Sequence, residues 1–174
     1  EAPVAVVGQN AIGKATAPMV IGAAQRGETA AAVPQGRDLV AYRDEGGYTV
    51  LEAVREGRLS VDQVMAEVAA SGLRGMGGAG FPAARKWQIV RGFAGPKLMT
   101  INADEGEPGT FKDRMLLEAD PHRMLEGAMI AAHIVGAERI FLYLRDEYAG
   151  VRALLIREIA ALAQGAGPWP VSGP

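Results

Sequence analysis

A chain of 174 residues, 49% of them apolar and with a net charge of −2, is about one domain. It has enough hydrophobic content for a packed core and no electrostatic footprint for nucleic acid or an anionic membrane. The absence of cysteine excludes disulfides, a thiol nucleophile and an iron–sulfur cluster ligated within these residues, and with no apolar run near the ~20 residues of a membrane span and no visible signal peptide, a cytoplasmic protein is expected.

Glu1 in place of an initiator methionine suggests that the sequence does not begin at the native start. Pro3 to Val7 reads as a strand, followed by Gly8-Gln9-Asn10-Ala11-Ile12-Gly13-Lys14-Ala15. That run approaches a Walker A phosphate loop, but Ala15 stands where a hydroxyl should hold magnesium. A strand–turn–helix fragment or a loosely ordered arm is the plainer expectation. Ala23 to Asp38, rich in Ala, Gly and polar residues, reads as linker. Residues 1–39 are therefore expected to be an amino-terminal arm or the remnant of a separate small domain, ahead of an α/β domain over 40–164.

The helical signals begin at Val40. Tyr48 to Glu56 forms a candidate short helix with Thr49 as N-cap and Gly57 as its end. Ser60 with Gln63 makes a capping box, and Val61, Val64, Met65 and Val68 fall on one face of the helix that follows. Gly72 stops it, and the chain enters a stretch with five glycines in nine residues: Gly72, Gly75, Gly77, Gly78 and Gly80. Glycine lacks a Cβ and takes positive φ freely, so such a run lets successive N–H groups point at one ligand. Phe81-Pro82 closes the loop and starts a helix through Lys86-Trp87. A helix start brings unpaired donors and positive potential, suited to phosphate.

Lys97 to Ile101 reads as a short buried strand running into Asn102-Ala103-Asp104-Glu105-Gly106-Glu107-Pro108-Gly109. Three carboxylates and an amide then cluster at the carboxyl end of a strand, where open α/β sheets place ligands. Carboxylates repel phosphate but bind ribose or ribityl hydroxyls and ring N–H groups. One loop for phosphate and one for hydroxyls and ring edges describes a nucleotide or flavin pocket. Asp104, Glu105 and Glu107 are also chemically able to cap the next helix or hold a divalent cation.

Beyond them Thr110 to Glu118 is expected as a short helix. Asp120-Pro121 opens the next, with Leu125, Ala128, Met129 and Ala132 as its buried stripe. Arg139 to Leu144 reads as a strand, and Glu147 to Gln164 as a long helix buried through Val151, Leu154, Leu155, Ile159 and Leu162. Strand–helix–strand–helix order favours α/β architecture, helices around a small, mainly parallel sheet. Residues 165–174 read as loop or tail. Trp87 and Phe111 are expected in the core, whereas Phe81, inside the glycine loop, has little core available. His122 is expected exposed and His133 packed, with neither a convincing base or ligand.

The segments GLRGMGGAGFPAARKW and NADEGEPGTFKDR, in this order and separation, resemble the flavin-binding subunit of respiratory complex I and its relatives. Those relatives are the diaphorase subunits of NAD-reducing hydrogenases and the beta subunits of NAD-dependent, molybdenum-containing formate dehydrogenases. Met76, where complex I subunits usually carry Arg, and the run YLRDEYAGVRALL (Tyr143 to Leu155) look most like the formate dehydrogenase branch.

The resemblance implies an FMN pocket held by Gly75, Gly77, Gly78, Ala79, Gly80 and Lys86, together with Asn102, Asp104 and Glu105. Phe81 and Glu107 would face NAD(H). It also implies hydride transfer with no side chain acting as proton donor, and single-electron transfer onward to iron–sulfur clusters. A second glycine–glutamate segment and a four-cysteine 4Fe–4S domain are expected on sequence beyond this stretch. The implied partners are a molybdenum- and iron–sulfur-containing alpha subunit and a small 2Fe–2S gamma subunit.

Overall fold

The computed structural model describes residues 2–76 and 78–164. Gly77 and the tail from 165 to 174, expected as loop, lie outside the described residues. In chain order the elements are β1 (Val4–Val7), β2 (Asn10–Gly13), α1 (Ala17–Gln25), α2 (Leu39–Asp44), α3 (Thr49–Arg55) and α4 (Val61–Ala70). They continue with α5 (Ala83–Arg91), β3 (Lys97–Ala103), α6 (Lys112–Ala119), α7 (Pro121–Val135), β4 (Ala137–Leu144) and α8 (Ala149–Gln164). The expected α/β class holds: β3 and β4 pair in a small parallel sheet surrounded by helices. The chain resolves into two compact units, one drawn from 1–39, 104–121 and 144–174, the other from 40–103 and 122–143.

In the first unit the amino-terminal segment corrects two expectations. The near-Walker run is neither a phosphate loop nor a strand–turn–helix fragment but an antiparallel hairpin, with Val4 opposite Gly13 and Val7 opposite Asn10. Gly8 at φ +63° supplies the tight turn, and its twist suits paired strands rather than a helix start. Part of the expected linker is helix: α1 begins after Thr16, with Pro18 in its first turn, and buries Ala23. The chain after it runs against α8, where Arg157 Nη2 donates to the Gln35 carbonyl at 2.9 Å. A Cβ on Gly150 would lie 2.2 Å from the Ala32 carbonyl oxygen, so the close approach there requires glycine.

In the second unit the stripe of α4 does what its spacing implies. Val64 is buried with Val54 and Ile134, and Val61, Met65, Val68, Leu59, Trp87 and Ile130 pack against them. Burying a side chain of this size contributes about 1.5–3 kcal/mol. The capping box forms as written: Gln63 N–H donates to Ser60 Oγ at 3.2 Å and Ser60 N–H to Gln63 Oε1 at 2.8 Å. Gly72, at φ +67°, ends the helix.

Three assignments change. The N-cap of α3 is Tyr48, at φ +66°, not Thr49, whose hydroxyl instead donates to the Gly46 carbonyl at 2.7 Å. Phe111 is 64% exposed rather than core. The histidines are reversed, with His122 fully buried and His133 exposed. The reason for the reversal is a buried polar node. His122 Nδ1 shares a 2.9 Å hydrogen bond with the Tyr48 hydroxyl, and the Tyr42 and His122 rings stack at 5.6 Å. Glu126, also buried, accepts from the Tyr42 hydroxyl at 2.6 Å, the Tyr48 N–H at 3.0 Å and the Leu51 N–H at 3.3 Å. It therefore caps α3 in place of a local side chain.

Candidate functional site

The glycine loop is built on a short ladder. Arg74 and Pro82 form an antiparallel bridge, the Gly75 N–H donates to the Phe81 carbonyl at 2.9 Å, and the Ala83 N–H donates to the Leu73 carbonyl at 2.9 Å. Arg74 Nη1 reaches across to the Gly80 carbonyl at 3.1 Å. These bonds fix the two ends of the loop and leave its crest open. Among the described residues, the N–H groups of Met76, Gly78 and Ala79 meet no protein acceptor. A Cβ built on Gly78 or on Gly80, whose φ is +53°, would find nothing within 4 Å. The glycines of the crest are therefore not there to relieve crowding within the fold. Around Gly78 and Gly80 the described residues leave room for a group that is not part of them.

Helix α5 starts directly after the loop with Pro82 as N-cap and no side-chain cap, so its first turn keeps donors and positive potential. Phe81 is 41% exposed, and the Arg85 guanidinium lies 5.8 Å from its ring centroid. Phe81, Lys86, Ile89 and Val90 line an open, mainly apolar hollow beside the loop. Of the residues anticipated from sequence, the structure thus brings together Gly75, Gly78, Ala79, Gly80, Phe81 and Lys86. Gly77 falls outside the described residues.

The acidic bend is built differently, because its carboxylates diverge in environment. Asn102, on the exposed face of β3, Asp104 and Glu107 are all exposed. The Glu107 carbonyl accepts from Thr110 N–H at 3.1 Å and from Thr110 Oγ1 at 2.6 Å, closing the turn into α6. Glu105 is buried, at 2% exposure. Its carboxylate accepts from the N–H groups of Asp113 at 3.0 Å and Arg114 at 3.2 Å, the orphan donors of the first turn of α6. The Tyr148 hydroxyl donates to it at 3.1 Å and Lys112 Nζ lies 3.7 Å away.

Burial pushes the Glu105 carboxyl up, but the Asp113 and Arg114 N–H groups, the Tyr148 hydroxyl and the Lys112 charge outweigh it and hold the group below its usual range. Of the alternatives open for these three carboxylates, capping of the next helix is what Glu105 does. Among the described residues no three acidic or imidazole groups gather into a cluster able to hold a metal ion.

Sequence reasoning passed over Arg74, Arg145 and Tyr148. Arg145 donates through Nη1 to the Glu105 carbonyl and through Nε and Nη2 to both oxygens of Glu147, at 3.0 and 2.7 Å. The signal lay in the RDEY run, noticed only as part of a resemblance. Its contact with Glu105 spans 40 positions and has no local pattern.

Residues 68–166 match the family model described as the Nuo51 FMN-binding domain. The chain is 48% identical over 117 residues to the second F subunit of the NADH-quinone oxidoreductase of Rhizobium meliloti (strain 1021), covering 67% of this chain and 28% of that one. It is 42% identical over 115 residues to the F subunit of the NADH-quinone oxidoreductase of Aquifex aeolicus (strain VF5), covering 66% and 26%. A solved structure, the NAD+-reducing NiFe-hydrogenase in the H2-reduced state, superposes with a TM-score of 0.73 at 33% identity, over 95% of this chain and 32% of its own. The chain thus spans about a quarter to a third of the length of these relatives. With more than half of its residues inside the family model and both motifs present, the chain belongs to the Nuo51 FMN-binding domain family.

Proposed function

We propose that this chain is the FMN-holding, amino-terminal part of a subunit that passes reducing equivalents between NAD(H) and FMN in a multisubunit oxidoreductase. The observation that carries the reading is the crest of the glycine loop, where the N–H groups of Met76, Gly78 and Ala79 meet no acceptor among the described residues and a Cβ on Gly78 or Gly80 would find open space. That donor set suits a phosphate monoester, and it lies just ahead of the uncapped start of α5. In this reading Gly77, Gly78, Ala79, Gly80 and Lys86 take the phosphate end, and Gly75, whose N–H is held by the Phe81 carbonyl, lines the loop beside them. Asn102, Asp104 and the main chain at Glu105 take ribityl hydroxyls and ring edges. Phe81, with Glu107, faces the nicotinamide nucleotide. Bound FMN supplies the exchange between two-electron hydride transfer and one-electron transfer to iron–sulfur centres. The chain's own residues orient the rings, exclude water and set the electrostatics, and none moves a proton.

The finer assignment is to the beta subunit of an NAD-dependent, molybdenum-containing formate dehydrogenase, supported by Met76 and the YLRDEY run from Tyr143 to Tyr148. Its partners would be an alpha subunit carrying molybdenum and iron–sulfur centres and a 2Fe–2S gamma subunit, with a 4Fe–4S cluster on further sequence of this subunit, in the cytoplasm. No helix among the described residues is long and apolar enough to cross a membrane. The names of the relatives favour a second reading, the equivalent subunit of an NADH-quinone oxidoreductase or an NAD-reducing hydrogenase. Purifying the full-length subunit with its complex separates the two. Formate-dependent reduction of NAD by a complex containing FMN supports the first. Reduction of NAD by hydrogen, or of quinone by NADH, with no response to formate, supports the second. A complex whose subunit retains no flavin contradicts both.

A further inference from the structure

Resting on the flavin reading above, we propose that Arg145 and Tyr148 are positioning residues that fix the acidic bend for its ligand by clamping both the backbone and the side chain of Glu105. The two residues act on one amino acid from two directions. Arg145 Nη1 holds the Glu105 carbonyl oxygen, and the Tyr148 hydroxyl holds the Glu105 carboxylate at 3.1 Å. Arg145 cannot easily swing away. Its other nitrogens are engaged bidentately by Glu147 at 2.7 and 3.0 Å, and its guanidinium stacks 5.4 Å from the Tyr148 ring centroid. Arg114, whose own N–H binds the same carboxylate, lies 5.6 Å from that ring. A planar fork with all three of its nitrogens engaged in this way holds position better than a lysine could.

The consequence concerns Asp104. It sits one residue before the clamped carbonyl, so the Glu105–Gly106 peptide plane that follows it is held by Arg145 while the Glu105 side chain is held by Tyr148. A bend that must meet hydroxyls and ring edges needs that plane in one place, since ligand hydrogen bonds are lost over displacements of about 1 Å. Neither Arg145 nor Tyr148 need touch the ligand for this to operate.

The test is equilibrium flavin binding to the full-length subunit in its complex, stripped of flavin and retitrated with FMN and with riboflavin, alongside thermal unfolding of the stripped protein. Tyr148→Phe deletes one hydrogen bond and should weaken both ligands by roughly three- to tenfold, the usual yield of one such bond. Arg145→Lys keeps the charge but loses the fork, and should weaken both by about tenfold or more. Because the clamp acts away from the phosphate, the preference for FMN over riboflavin should stay unchanged in both variants. A purely structural role predicts a lowered unfolding midpoint with wild-type affinities, and that result overturns the proposal. If Arg145→Lys fails to fold, Tyr148→Phe alone decides. A wild-type protein that binds no flavin overturns the functional reading itself, whereas tight wild-type binding with unaltered variants overturns only the clamp.

Discussion

The glycine loop and the acidic bend solve opposite problems. The loop is tied only at its base, by the Arg74–Pro82 bridge and the Arg74 bond to the Gly80 carbonyl, and its crest carries exposed main chain with no side-chain props. The bend is pinned at its middle: Glu105, the most buried of its acidic residues, is bonded to two amides of α6 and to Tyr148. The contrast separates two uses of a functional loop. Where the main chain is proposed as the binding group, side chains are small or absent and the ends are fixed. Where side chains and peptide planes are to be aimed, as the flavin reading proposes for the bend, one carboxylate is turned inward and serves as an internal strut. Three carboxylates close together in sequence are therefore not three equivalent ligands.

Substitution in the loop should break function while sparing the fold, and substitution at the strut should damage both. The largest effect belongs to Gly78→Val. A Cβ there meets nothing within 4 Å among the described residues, so the unfolding free energy should stay within about 0.5 kcal/mol of wild type. FMN affinity should fall by on the order of 100-fold or more, because several charge-assisted amide–phosphate bonds are obstructed together. Calorimetric unfolding together with a flavin titration checks both halves.

Glu105→Ala should lower the unfolding midpoint clearly more than Glu107→Ala does, since it orphans the first-turn amides of α6 and the Tyr148 hydroxyl. It should also weaken flavin binding. Equal midpoints for the two variants in thermal melts would remove the distinction drawn between the carboxylates.

A pH series sharpens the same point. Glu105 is held below its ordinary value of 4.5 in the folded state, so its contribution is complete above that value and is lost as pH falls through the depressed folded one. Glu147, drawn down to about 2 by the Arg145 fork, contributes in the same direction. Denaturant unfolding between pH 7 and pH 3 should therefore show Glu105→Gln less stable at neutral pH, with a shallower acid decline than wild type. The smallest effect is Ser60→Ala, which removes one half of the capping box of α4 and should cost about 1 kcal/mol in denaturant unfolding. Flavin affinity should not change, because the box stabilises the helix that leads into the loop without shaping its crest.

Local chemistry was readable wherever partners are close in sequence. The Ser60–Gln63 box, the stop at Gly72, the start of α7 at Pro121 and the stripe of α4 all follow from neighbours within a turn or two. What escaped reading depends on distant partners or on two patterns sharing one composition. The first turn of α3 is capped by Glu126, more than 70 residues away, which is why Thr49 looked like its cap. His122 is buried because Tyr42 and Tyr48 close over it, and nothing within its own helix announces them. The run from Gly8 to Lys14 carries glycines at 8 and 13 compatible with either a phosphate loop or a hairpin, and only the pairing of Val4–Val7 with Asn10–Gly13 decides. The glycine loop and the acidic bend were each legible as local stretches of opposite character. Capping of the next helix was legible as one option for the three carboxylates, but that Glu105 is the one to turn inward was not, because Tyr148, just ahead of α8, completes its surroundings.

The most direct measurement is a paired titration of the full-length protein with FMN and riboflavin, which differ by the phosphate alone. If bare amides of the glycine loop hold that phosphate, wild type should prefer FMN by about 100-fold, and Gly78→Val should collapse the preference while leaving weak riboflavin binding. Equal affinity of wild type for the two flavins, or an undiminished preference in Gly78→Val, would contradict it.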